Sequence, residues 1–476
     1  MFKDLRDYIQ AVEEIGELKI IEGASWDLEI GAIGEIYAES NESPMLLFDK
    51  IPGYPAGYRV AHNLFASQRR TALGLGLPHE AKGIELVKAL RGKIKSLRPL
   101  IPPIETETAP VKENILTGDD VDLFKFPVPK WHELDGGRYI GTGSAVITRD
   151  PDEGWVNFGA YRVELHEKNV ATIQIAAGQD GDIIQKKYWA RGMNCPAAVS
   201  CGQEPVIFSA SGWQRTPWGI SEYDIAGALK GAPIEVTAGP FTGFPIPATA
   251  EIVLEGEIVP PEVDSRVEGP FGEWPGYYAS AAKTIPAFRV KTILHRDNPI
   301  IQGNPPSRLP AVWTLGRHIQ KAATLWDHLD QQLPGVCGVW MIEEAGVHSI
   351  PVISLKQAYP GHAKQAALVA ASSNATGFET KFIIVVDDDI DPSNLSEVWW
   401  ALGTRTEPEL TIDILRDMWG TALNPMLPEE LKMKGELKRS VGIIIACKPY
   451  HRLNVFPLAS RCSPEYLAKI REKWQL

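Results

Sequence analysis

From residue 111 to about residue 300 the chain is a series of short β-branched runs cut apart by glycine, proline and other turn residues. They include "SAVITRD", "FGAYRVELH", "VATIQIAAG", "AAVSCG", "PVIFSAS", "IEVTAG", "ATAEIVLEGEIV" and "FRVKTILHR". Runs of this length and composition favour pleated, half-buried backbone. With one inserted helix expected over Glu222 to Leu229, the pattern predicts a barrel or sandwich.

The flanks read differently. Phe2, Leu5, Ile9 and Val12 recur at helical spacing and predict an opening helix that stops near Gly16, followed by "LKIIEG" as a strand. Residues 81–97 predict a second helix, and the proline-rich "RPLIPPIETETAP" (98–110) closes an N-terminal α/β portion, residues 1–110. The β-rich domain then takes 111–315, "GRHIQKAATLWDHLDQQL" supplies a linking helix within 316–334, and strands alternating with helices predict a C-terminal α/β domain over 335–460. A last helix within 461–476 opens with Ser463 as N-cap and Pro464 at the first helical position. The expected fold class is a multidomain mixture of α+β and α/β parts.

A net charge of −12 over 476 residues argues against a nucleic-acid partner, which needs a basic surface. The five cysteines are odd in number and form no Cys-x-x-Cys pair, which fits buried thiols in a reducing compartment. No apolar run approaches the ~18 residues of a membrane span, and acids interrupt the N-terminal stretch. A cytoplasmic protein is expected.

The stretch "VEGPFGEWPGYY" (267–278) places Glu268 and Glu273 in a segment that proline and glycine keep from being helical. Acids among Phe271, Trp274, Tyr277 and Tyr278 are expected to be partly desolvated, which suits a proton donor near neutral pH. Arg162, in a strand otherwise short of charge, offers a bidentate partner for a carboxylate.

Asn157-x-Gly159-x-Tyr161-Arg162, then "SEYDIAGAL", then "EGPFGE" stand in the order seen in the UbiD-family decarboxylases. The chain resembles that family along nearly its whole length, through "PATAEIVLEG" (247–256) and "HAKQAAL" (362–368), nearest to the aromatic and phenolic acid branch. The resemblance implies a central split β-barrel-like domain that binds prenylated FMN. It also implies non-oxidative, reversible decarboxylation of an aromatic, heteroaromatic or α,β-unsaturated acid through a covalent adduct with that flavin. The family's catalytic trio falls on Arg162, Glu268 and Glu273: the first two pair to hold the substrate carboxylate, and Glu273 protonates the carbon that loses CO2. Cofactor contacts fall on Asn157, Gly159, Tyr161, Arg162, Gln179, Pro217, Glu222 and Lys364, the lysine on the phosphate.

A divalent metal, Mn2+ or Mg2+, with K+ or Na+ nearby, is implied at Asn157, Asp180 and Glu222. The family has histidine where Asp180 stands; an aspartate oxygen suits the same cations, and Asp182 is the alternative ligand. Asn157 and Arg162 lie an odd number of residues apart, so one regular strand would point them to opposite faces, and a bulge is expected at Gly159. The implied partners are a flavin prenyltransferase that supplies the cofactor and further copies of the chain, in a homodimer or larger homo-oligomer.

For the substrate, the ring-hydroxyl histidine of the family's dihydroxybenzoate decarboxylases falls on Thr421 in "DMWGTALNP", beside Trp419. His328 and His348 are further candidates for the pocket. Loss of that histidine points away from catechol acids, towards a larger or less hydroxylated aromatic, heteroaromatic or enoic acid. The acid run "VVDDDIDP" (385–392) reads as a strand-end turn, His166 as the outer end of its strand, and "VWW" (398–400) as core or subunit interface. Two other function classes compete. One is a flavin-binding protein without decarboxylase activity, an inactive paralogue or cofactor carrier, which the aspartate at 180 would fit. The other is an FMN-dependent reductase, for which no Gly-x-Gly-x-x-Gly fingerprint exists.

Overall fold

The computed structural model describes residues 1–39, 43–96, 99–212, 216–308, 314–346, 350–377 and 380–475. Its centre is a ten-stranded sheet whose main path starts with Arg138–Tyr139, Arg162–Glu167, Val170–Gln174 and Lys283–His295. The path continues through Ile252–Ile258, Cys195–Cys201 and Ser144–Arg149 to Val156–Gly159. Asn114–Thr117 and Ser265–Glu268 add to the long strand Lys283–His295.

One connection dictates the shape of this sheet. Val156–Gly159 and Arg162–Glu167 are consecutive in the chain, yet they stand six places apart along the path. Laid flat, six spacings would separate them by about 29 Å. The link is only Ala160 and Tyr161, which can span about 10 Å. The sheet must therefore curl until its ends nearly meet, giving a half-barrel. Gly141 and Val163 exchange both backbone hydrogen bonds at that seam.

This arrangement corrects the expectation of one strand through "FGAYRVELH": two strands meet there, and the direction change replaces a bulge. It also leaves Asn157 and Arg162 on separate strands, so their odd spacing imposes no opposition. A second correction concerns "PVIFSAS", which forms the helix Pro205–Ser211 and not a strand. Proline takes the first turn, and Val206, Ile207 and Ala210 bury one helical face; a run this short does not distinguish the two periods. Among the described residues the central region holds the helices Asp180–Trp189, Pro205–Ser211 and Glu222–Lys230, where one was expected.

The N-terminal sheet orders Leu18–Glu22, Met45–Asp49 and Arg59–His62, and is completed by Ile300–Gln302 from beyond the half-barrel. Glu251, with a side chain 0% exposed, fastens the two regions. It accepts hydrogen bonds from Arg6 Nε and Nη2 at 2.9 and 2.8 Å, from Arg296 Nη1 at 3.2 Å and from the Ile300 amide at 3.2 Å.

The C-terminal sheet runs Val336–Met341, Pro351–Leu355, Phe382–Asp387, Lys438–Ala446 and Ile412–Trp419. One apolar core joins it to the rest: Leu86, Val87 and Leu90 of the helix Gly83–Lys95 pack with Ile319, Ala322 and Trp326 of Thr314–Asp330, and with Val339 and Ile353 of the sheet. The acid run after Phe382–Asp387 is structural, since Arg405 pairs with both Asp387 and Asp389. Trp399 is exposed while Val398 is buried. The terminal helix Pro464–Trp474 has Ser463 as its N-cap and leaves Tyr466, Leu467 and Trp474 exposed. No described helix is long and apolar enough to cross a membrane.

Glu251 should be the most sensitive polar position of this framework. Glu251→Ala removes the buried anion that Arg6 and Arg296 share, leaving Arg296 with Asp4 and Arg6 with backbone carbonyls. It is expected to cost about 3 kcal/mol in urea unfolding, with the N-terminal helix exchanging its amide protons first.

Candidate active site

The curl of the sheet brings Arg162, at the start of its strand, against Glu268, the last residue of Ser265–Glu268. Arg162 Nε donates to Glu268 Oε1 at 2.6 Å and Nη2 to Oε2 at 2.9 Å, a bidentate pair. Nη1 donates to Glu273 Oε1 at 2.5 Å. The three sequence-predicted residues are thus one contiguous cluster. The two glutamates differ in setting: Glu268 is 1% exposed, whereas Glu273 is 12% exposed and also receives the Ser280 hydroxyl at 3.5 Å. Burial pulls the Arg162 pKa down, but the bonds to Glu268 and the charge of Glu273 outweigh it and raise it overall.

The apolar lining differs from the expectation. Tyr277 and Tyr278 are exposed, and Phe271 alone of that group is buried, tilted against Tyr139 with ring centroids 4.2 Å apart and 5.3 Å from the Arg162 guanidinium. The turn that carries Glu273 is fixed by Glu273 N to Tyr277 O and Gly276 N to Glu273 O. It is tied at one side by the Tyr278 hydroxyl on Asp135 and at the other by Lys432, which crosses from the C-terminal domain to the Ala279 carbonyl at 2.6 Å.

A residue the sequence reading passed over completes the cluster. In a strand, alternate residues share a face, so Glu164 stands beside Arg162. It is 3% exposed and accepts from the Tyr139 hydroxyl at 3.0 Å and the Gly269 amide at 2.9 Å. Burial pushes its pKa up to about 7, with the charge of Glu268 adding to the rise. The period-two spacing from Arg162 was the available signal.

A second cluster gathers at the strand Val156–Gly159 and two helix starts. Glu222, first residue of Glu222–Lys230, accepts from the Phe158 amide at 2.8 Å, and Asp180, first residue of Asp180–Trp189, faces it closely enough to raise its pKa. Burial, with Asp180 contributing, pushes Glu222 up to about 7; burial raises Asp180. Tyr161 bonds to Asn157 and accepts from the Gly181 amide at 3.3 Å, and burial pushes it up to about 12. A side chain at 159 would bring its Cβ within 2.6 Å of the Tyr161 ring, which explains the glycine. Oxygen donors from two acids and an amide suit a hard divalent cation. Asp182 is committed elsewhere, to the Gly178 amide, Gln185 and Lys186. Gln179 and Pro217 are exposed beside this cluster in the chain.

The remaining candidates lie in the C-terminal domain. Lys364 pairs with Asp413 at 2.8 Å and is half-exposed. His328 contacts the Ser373 hydroxyl at 2.7 Å, where the linking helix meets the helix His362–Ser372. Trp419 is 68% exposed at the end of an edge strand, and the Thr421 hydroxyl accepts from the Leu423 amide within its own turn. His348 lies outside the described residues. His166, expected at an outer strand end, points inward to Thr172 and lies 4.0 Å from Glu164.

Three domain models of one family match the chain: the 3-octaprenyl-4-hydroxybenzoate carboxy-lyase (UbiD) N-terminal domain at 9–90, its Rift-related domain at 103–309 and its C-terminal domain at 315–446. The chain is 32% identical over 438 residues to a phenolic acid decarboxylase of Bacillus subtilis, covering 89% of each. It is 33% identical over 460 residues to a pyrrole-2-carboxylic acid decarboxylase of Pseudomonas aeruginosa, covering 92% of this chain and 90% of the relative. An evolved dimeric form of the UbiD-class enzyme HmfF from Pelotomaculum thermopropionicum, in complex with prFMN, superposes with a TM-score of 0.84 at 28% identity over the whole of both chains.

The Arg162–Glu268 pair predicts a specific non-additivity. Arg162→Met should destabilise the chain by about 3–5 kcal/mol by leaving a buried carboxylate unpaired, and Arg162→Met with Glu268→Leu should recover most of that loss in the same denaturation assay.

Proposed function

The chain belongs to the UbiD family of carboxy-lyases, and we propose that it decarboxylates an aromatic or heteroaromatic acid with Glu273 as proton donor. The observation that carries this reading is the single buried guanidinium shared by two unequal carboxylates. Three of the five N–H donors of Arg162 bond Glu268 and Glu273, which leaves donors for a substrate carboxylate. Glu268, held on both oxygens and shielded from water, keeps the guanidinium fixed. The Glu273 side chain has one bond to Arg162 and a long one from Ser280, so it can swing on its fixed turn from the arginine to the carbon that loses CO2. The split of one residue type into an ion-pair anchor and an acid–base group follows from these two settings.

Loss of CO2 from an sp2 carbon needs an electron sink that side chains do not provide, and prenylated FMN supplies it when bound. Asn157, Asp180 and Glu222 would hold a divalent ion, Mn2+ or Mg2+, against the flavin phosphate, with Tyr161 packed over Gly159 to fix Asn157. A K+ or Na+ ion beside it and Lys364 at the phosphate complete the proposed binding set. An acid without a catechol is the proposed substrate: the resemblance puts Thr421 where the ring-hydroxyl histidine would stand, and the two relatives above are named for phenolic and pyrrole-2-carboxylic acids. We place the enzyme in the cytoplasm, loaded by a flavin prenyltransferase. The exposed Tyr466, Leu467 and Trp474 of the terminal helix would pack on a second copy.

The test is deuterium incorporation from D2O at the carbon that loses CO2, across a panel of phenolic, pyrrole, furan and cinnamic acids and their decarboxylated products, using protein co-produced with a flavin prenyltransferase. Exchange on at least one acid is expected, with Glu273→Gln lowering it by about 10²–10⁴-fold. Tight flavin binding without exchange on any acid would turn the reading to a cofactor carrier. The metal site has its own measurement: Mn2+ should raise the melting temperature of the wild type and leave that of Glu222→Gln unchanged.

A further inference from the structure

We infer that Glu164 is a positioning residue of the decarboxylation site, held as a neutral acid beside the Arg162–Glu268 pair so that the guanidinium can accept a substrate carboxylate. This rests on the decarboxylase reading above and concerns the charge that reading needs at the site.

The geometry places three acids around one arginine. The Tyr139 hydroxyl lies 3.0 Å from Glu164 Oε2 and 3.4 Å from Glu268 Oε1, so it bridges the two carboxyl groups. Glu164 Oε2 takes both available donors, Tyr139 and the Gly269 amide, which leaves Oε1 to carry a proton. Room for that oxygen is made by Gly137, where an added Cβ would lie 2.5 Å from it. The charged or titratable groups facing Glu164 are Arg162, Glu268, Tyr139 and His166. Arg162 is engaged by Glu268 and Glu273. Burial, with Arg266 adding to it, lowers the pKa of His166, 4.0 Å away, so that ring is neutral at pH 7 and offers no compensation.

With Glu164 protonated, the Arg162–Glu268 pair stands neutral; ionisation of Glu164 adds a second, uncompensated negative charge beside it before any substrate anion arrives. Burial strongly disfavours that second charge and raises Glu164 to about 7, inside the range where an enzyme works. The sign follows: below this range the site accepts a carboxylate, and as pH rises through it the added charge repels one. One extra charge several Å away in a partly hydrated site should weaken binding about tenfold.

Two measurements test this. Carboxyl infrared titration of the wild type minus Glu164→Gln isolates Glu164 from Glu204, Glu222 and Glu343, whose pKa values are also raised. The expected difference is one protonated carboxyl at pH 6 that is lost by pH 8; its absence at pH 6, or its persistence at pH 9, overturns the proposal. This arm needs no substrate, so it stands even if no acid is turned over and the decarboxylase reading fails. In the flavin-loaded enzyme, on whichever panel acid exchanges, KM should rise about tenfold from pH 6 to pH 8 with kcat little changed. Glu164→Gln should flatten that rise and Glu164→Asp should restore it. A loss confined to kcat, or a Glu164→Gln profile that still follows the wild type, overturns the proposal.

Discussion

The guanidinium of Arg162 is the constraint around which the central domain is organised. It sits at the seam of a curled sheet, buried, and carries one carboxylate on two of its nitrogens and another on a third. Such a group is tolerable away from water only when its charge is matched and its donors are used. Glu268 meets that need and is almost wholly enclosed. Glu273 meets it partially, from a turn that is half-open to solvent. The inequality between two otherwise identical residues is the chemical resource of the site.

The fold makes this arrangement available through topology. A two-residue link joins strands that the sheet path separates by six places, so the half-barrel closes on itself at Tyr161 and Arg162. The oxygen-rich cluster of Asn157, Asp180 and Glu222 lies on one side of that seam and the trio on the other. Both are therefore positioned by the same closure. Lys432, reaching from the C-terminal domain to the backbone beside Ser280, ties the second domain to the turn that carries Glu273.

Some of this was legible in the chain. The helical spacing of the first fifteen residues, the capped terminal helix and the alternation after residue 335 predicted elements that formed. Arg162, Glu268 and Glu273 were picked out together, and the structure brings them into contact. Other readings were limited by range. "PVIFSAS" fits a strand and a helix equally over seven residues, and only its packing against the half-barrel makes Val206, Ile207 and Ala210 one buried face. The strand Ile412–Trp419, which leads into "GTALNP", lies at a sheet edge paired with Lys438–Ala446, a placement that no local spacing gives. Tyr277 and Tyr278 were expected to shield the acids, but the turn leaves both exposed, Tyr278 with its hydroxyl on Asp135.

What the sequence determined by itself was chemical: which acids sit in a helix-forbidding segment, which arginine opens the strand Arg162–Glu167, and which residue types are present to hold a cation. Those are properties of residue type and local spacing. Only the tertiary structure decided that Glu164 joins the trio, that Asp180 and not Asp182 faces Glu222, and that Asn157 and Arg162 lie on different strands. The reason is physical. Charge coupling and burial act through distances of a few Å between residues as far as 111 positions apart in the chain, and the curl of the sheet sets those distances.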